Sequence, residues 1–87
     1  MNWTEKDVIE ILKNNPYYDS FTEEFDGKFV LQYVVSNIRI LIFNEVGGYI
    51  NGYFEGYSFC SEKDIISARN FLRIAVTHFR KKRKINL

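Results

Sequence analysis

Apolar positions recur along the chain at two spacings, and each spacing predicts a different kind of element. Between Thr4 and Asn14, Val8, Ile11 and Leu12 share one face at helical spacing, Thr4 followed by Asp7 resembles a capping box, and Trp3 is placed to staple against Val8. A helix is expected there, ended by Asn14-Asn15-Pro16, because the residue before proline resists helical dihedrals. Residues 28–35 (KFVLQYVV) and 38–44 (IRILIFN) are instead rich in β-branched and aromatic side chains and are separated only by Ser36-Asn37, which predicts two strands. A third strand is expected over about 49–57, after the Gly47-Gly48 break. Helical spacing returns from about Glu62 to Lys84: Ser61 and Asp64 mark the start, and Ile65, Ala68, Leu72, Ala75, Val76 and Phe79 share a face fit to cover a sheet.

Residues 17–27 are open to two readings. Ser20 with Glu23 suits a short helical turn, whereas Asp26-Gly27 suits a hairpin turn that would make Phe21–Phe25 a strand. The strand connections are too short for crossovers, so the chain predicts an α+β fold in the order α-β-β-β-α. Its sheet is an antiparallel three-stranded meander, with room for a fourth edge strand, packed with two helices. That order resembles double-stranded-RNA-binding domains in topology alone. Where those domains place phosphate-gripping lysines, at the start of the second helix, this chain reads SEKD, and Glu62 and Asp64 repel phosphate.

At 87 residues, 46% of them hydrophobic, the chain is expected to form a single folded domain, 1–87. Ile, Asn, Lys, Phe, Tyr and Met make up 40 of the 87 residues, which points to an AT-rich gene of the low-GC bacterial or phage kind. Codon bias of this sort inflates the Phe and Tyr count without selection for binding. The opening MNWTEKDVIEIL carries acids where a secretory signal carries positive charge, and the longest apolar runs are too short to span a bilayer. With a lone Cys60, a cytoplasmic protein without membrane contact is expected.

Within GGYINGYFEGYSF (47–59) a Gly-Tyr pair recurs every four residues. If 49–57 is a strand, its period of two puts Tyr49, Tyr53 and Tyr57 on one face and Ile50, Gly52, Phe54 and Gly56 on the other. The glycine face suits close approach of a helix. The tyrosine face reads either as a platform for stacking bases or binding a protein, or as a ladder packed on Tyr33 and Phe43, or as a homodimer interface.

Net charge is only +1, but it is divided along the chain. Residues 1–27 hold two lysines against seven acids, and residues 61–87 hold eight Lys and Arg against Glu62 and Asp64. In the last helix Arg69, Arg73, Thr77, Arg80 and Lys84 follow at steps of four, four, three and four, forming a basic seam that Lys81, Lys82 and Arg83 extend. The seam reads as a contact for phosphates or for an acidic protein surface. Its alternative is solubility, dipole complementation and pairing with the acidic first 27 residues.

Nothing in the sequence assembles a catalytic site. One His78 and one Cys60 do not make a nucleophile pair, and no cluster has metal-ligand spacing. Cys60 is expected to be a buried or half-buried thiol and His78 a helix-surface imidazole. Neither a cofactor nor a metal is expected. The expected function is therefore a small non-enzymatic binding protein, nucleic-acid-associated through its basic C-terminal helix. The alternative is a phage-type inhibitor or regulator that blocks a host protein such as a defence nuclease.

Overall fold

The computed structural model describes residues 2–23, 30–45 and 48–85, and only the backbone at 22, 23 and 83–85. The elements follow in the order α1 (Glu5–Lys13), α2 (Tyr18–Glu23), β1 (Val30–Val35), β2 (Ile38–Asn44), β3 (Ile50–Glu55) and α3 (Glu62–Ile85). The strands form one antiparallel meander, β1-β2-β3. The helices cover one of its faces, α3 lying on the strands with α1 and α2 packed against it. This is the α+β arrangement that the spacing predicts, with α2 added before the first strand.

In the 17–27 stretch the helical reading holds over Tyr18–Glu23. Tyr18 and Phe21 both bury against Phe79 of α3, with ring centroids 5.5 and 4.9 Å away. A strand would have sent residues three apart to opposite faces, whereas one helical turn aligns them. No strand therefore starts at Phe21. Phe25 and Asp26-Gly27, like the expected strand start at Lys28 and Phe29, lie outside the described residues.

The helix starts are held by the side chains expected to cap them. Thr4 Oγ1 accepts from the Asp7 N–H at 3.2 Å, and Ser61 Oγ accepts from the Asp64 N–H at 3.1 Å. Trp3 ties the entry of α1 to α3: its backbone N–H donates to Asn70 Oδ1 (2.8 Å), its indole Nε1 donates to Ser67 Oγ (3.0 Å), and its ring meets Phe71 edge-on.

Ser36 and Asn37 both take positive φ, 52° and 64°, as a two-residue type I′ hairpin requires. Val35 then sits opposite Ile38, and this register turns Leu31, Tyr33, Val35, Ile38, Ile40 and Ile42 inward. On β3 the inward positions are Ile50, Gly52 and Phe54. A Cβ at Gly52 would stand 2.8 Å from Leu72 Cδ1 and 3.3 Å from Val76 Cγ2, so the glycine is what lets α3 settle directly on β3. No described helix is long and apolar enough to cross a membrane.

Candidate nucleic-acid interface

α3 distributes its side chains to four directions. Ala68, Phe71, Ala75 and Phe79 are buried in the core. On one flank Ser67, Asn70, His78 and Lys82 meet Trp3 or α2, and on the opposite flank Leu72, Val76 and Arg80 meet β3. The remaining direction is open water. There Arg69, Arg73, Thr77 and Lys81 form one ridge at successive steps of four. All four are exposed, and the ridge is about 18 Å long at 1.5 Å per residue. Among the described residues, Arg69, Arg73 and Lys81 make no ion pair.

The seam expected from the sequence thus divides after Thr77. Arg80 is half-buried: its Nε–H donates to the Ile50 carbonyl at 2.8 Å, and its guanidinium lies 4.4 Å from the centroid of the Tyr49 ring. Tyr49 O bonds the Glu45 N–H on the β2 side, so the next carbonyl, Ile50 O, points to the free edge of β3. Arg80 fills that edge. Lys81, expected as a helper, takes the place on the ridge. Lys82 turns to α2, pairing with Asp19 at 3.3 Å over the Tyr18 ring, so part of the acidic N-terminal third does meet the basic end of the chain. The side chains of Arg83 and Lys84 lie outside the described residues.

Tyr49, Tyr53 and Tyr57 are each about half exposed, but they do not form one platform. Tyr53 alone stands on the outer sheet face, edge-on to Phe43 at 5.9 Å. Tyr49 precedes the strand and pairs with Arg80 at the edge. Tyr57 follows Gly56, whose φ of +77° redirects the chain, and its ring packs edge-on against Phe54. The expected three-tyrosine face is corrected accordingly: the period of two holds only inside the strand, and two of the three rings lie beyond its ends. Tyr33 faces the core and packs on Phe71, so it is no part of an outer ladder.

Beside the ridge a groove of about 330 Å³ separates α1 from α3, lined by Trp3, Glu5, Arg73, Thr77, His78 and Lys81. His78 is not the surface imidazole that was expected. It is half-buried, with Nε2 2.7 Å from the Tyr18 hydroxyl and its ring stacked on the Tyr18 ring. Burial, then the charges of Lys82 and Lys13, hold its pKa below the ordinary value. Tyr18 is pushed the other way, by burial and by Asp19. At neutral pH both groups are therefore uncharged, and the tautomer of His78 sets which of the two donates the hydrogen bond.

Cys60 is half-buried, as expected. It precedes α3, and the 16 residues from Glu62 to His78 span about 24 Å, so the thiol and the imidazole cannot cooperate within one chain. Among the described residues no group of His, Cys, Asp and Glu could hold a metal ion.

Two features of the site escape the sequence, the diversion of Arg80 and the Tyr18–His78 bond, because both join residues 30 and 60 positions apart. The place of Lys81 carried a signal, since it lies four residues beyond Thr77. Comparison with family models, with curated proteins and with solved structures finds no match to this chain.

Proposed function

We propose that the chain is a non-enzymatic nucleic-acid-binding protein that contacts the phosphate backbone through the water-facing ridge of α3. The observation that carries the reading is the ridge itself: Arg69, Arg73 and Lys81 are exposed and make no ion pair among the described residues. Its length of about 18 Å equals the rise of about five phosphates on one strand of a duplex. The Thr77 hydroxyl, between Arg73 and Lys81, supplies a neutral donor suited to a phosphate oxygen.

Two further observations favour backbone contact over base stacking. The tyrosines do not share a face, and among the described strand residues the one cation on the outer sheet face, Arg39, is already paired with Glu55 at 3.0 Å. Stacking proteins combine an aromatic surface with free positive charge along it. Here the free charge is on the opposite side of the molecule. Affinity is accordingly expected to be sequence-independent and weak, in the range of about 10⁻⁴ to 10⁻⁶ M at physiological salt.

The test is a salt titration of fluorescent duplex and single-stranded oligonucleotides. Three contacting cations give a slope of log K against log salt of about −2.7 on duplex, and Arg69→Ala with Arg73→Ala brings it to about −0.9. Undetectable binding at low salt, or a slope that the double variant leaves unchanged, refutes the reading. The ridge would then be assigned to an acidic protein surface, as in an inhibitor of a host protein.

A further inference from the structure

The groove between α1 and α3 carries charges of both signs. Glu5 lines it from α1 and Arg73, Thr77 and Lys81 line it from α3, with Trp3 and His78 completing a space of about 330 Å³. Glu5, Arg73 and Lys81 are exposed, and none of them makes an ion pair among the described residues. Trp3 is held by its bonds to Asn70 and Ser67 and by its edge-on contact with Phe71. The part of its ring left uncovered is therefore an apolar wall already in place before any ligand arrives.

We propose that this groove takes one guanine nucleotide whose base is unpaired, its phosphate on Arg73, Thr77 and Lys81 and its base against Trp3, donating N1–H and N2–H to the Glu5 carboxylate. The mixture of charges selects that ligand. A simple anion is repelled by Glu5 and a simple cation by Arg73 and Lys81, so the occupant must join a negative group to hydrogen-bond donors. Guanine alone among the bases offers a carboxylate two parallel donors. On adenine, cytosine and thymine the single donor position is flanked by a ring nitrogen or carbonyl whose lone pairs face the carboxylate.

The groove volume lies at the lower end of the range of about 300–1,000 Å³ typical of small-ligand sites, enough for one nucleotide and not for a duplex. A paired guanine spends N1–H and N2–H on its complement, so only an unpaired one can present them to Glu5. Binding along a duplex thus stays independent of sequence, and the preference is confined to an unpaired position. The inference rests on the phosphate-binding reading of the ridge, because Arg73 and Lys81 belong to both. Arg69 and Glu5 divide the two, since Arg69 does not line the groove and Glu5 is not on the ridge.

The experiment is fluorescence anisotropy at low salt with one DNA duplex, either blunt or ending in a single unpaired dG, dA, dC or dT. Wild type should bind the dG end at least about tenfold more tightly than the dT end or the blunt duplex. Glu5→Gln should erase that preference while binding the blunt duplex no more weakly than wild type, with its salt slope unaltered, because an acid has been removed and no cation lost. Glu10→Gln, which changes an exposed acid of α1 outside the groove, should keep the preference. Guanosine monophosphate should compete for the dG end at least about tenfold more weakly than the dG-ended duplex itself, since it has no backbone to lay on the ridge. Equal competition would assign the groove to free nucleotides and overturn the proposal. Four ends bound alike, or a dG preference that survives Glu5→Gln, would overturn it while leaving the ridge reading intact. Failure of every oligonucleotide to bind would instead refute the ridge reading and the groove with it.

Discussion

Gly52→Ala adds a single methyl group at the tightest contact between β3 and α3. Its Cβ would stand 2.8 Å from the Leu41 carbonyl oxygen and 2.8 Å from Leu72 Cδ1, with Val76 Cγ2 at 3.3 Å. Unstrained carbon contacts lie at about 3.5–4.0 Å. Leu72 can rotate away at modest cost, but the Leu41 oxygen belongs to β2 and moves only with the ladder. Overpacking of this kind costs about 1–3 kcal/mol. The alanine recovers about 0.4–1 kcal/mol by restricting the unfolded chain. The net expectation is a loss of about 1–2 kcal/mol, which for a domain of this size lowers Tm by about 4–16 °C.

Thermal and urea unfolding followed by far-UV circular dichroism measure the loss, and an unchanged m-value shows that the unfolded state is the same. Adding Leu72→Ala removes only the side-chain half of the clash. A Gly52→Ala variant whose deficit persists beside Leu72→Ala assigns the remainder to the Leu41 carbonyl. Gly56→Ala is a control of a different kind, because no atom lies within 4 Å and any cost comes from its φ of +77°. A Gly52→Ala protein as stable as wild type would falsify the close approach of α3 to β3.

Two further predictions concern α3. Arg80→Ala removes a charge-assisted hydrogen bond to Ile50 O and the contact with the Tyr49 ring. It should cost about 1–2 kcal/mol of stability while leaving the salt slope of oligonucleotide binding unaltered, and a variant with wild-type urea midpoint and reduced slope would reverse the roles given to Arg80 and the ridge. His78 is held neutral in the fold, with its pKa below the ordinary 6.5. The unfolded chain therefore takes up the proton first, so this contribution is whole above about pH 6.5 and is lost as pH falls through the lower folded value. Urea midpoints between about pH 7.5 and about pH 5.5 should fall more for wild type than for His78→Gln, and equal falls would show that His78 is not linked to folding.

What the sequence made legible is what local physics decides. Helical spacing located α1 and α3 to within a residue or two, their caps were readable from Thr4 and Ser61, and Ser36-Asn37 marked the turn between β1 and β2. The alternation in β3 correctly put Gly52 toward the helices. It failed for Tyr49 and Tyr57 because alternation describes a strand, and these residues flank Ile50–Glu55. The length of α2 depended on Phe21 finding Phe79, a contact across 58 positions that no local pattern encodes. Arg80 failed for the same reason, since spacing tells which helix residues are neighbours but not which flank runs beside an open strand edge.

That last distinction fixes how many charges α3 can give to a phosphate backbone. A cation contributes to counterion release only if binding adds a contact without breaking an equivalent one. Arg80 would have to leave Ile50 O, uncovering a carbonyl on the β3 edge, and Lys82 would have to leave Asp19. Their net contribution is expected to be close to zero, so under the proposed function the ridge would act with Arg69, Arg73 and Lys81. Arg83 and Lys84 can be removed from the count experimentally by Arg83→Ala with Lys84→Ala. In that background a duplex slope near −2.7 corresponds to the three ridge cations, whereas a slope near −4.5 would mean that Arg80 and Lys82 are released to the phosphates as well. The steeper value would contradict the division of labour along the helix, even if binding itself were found.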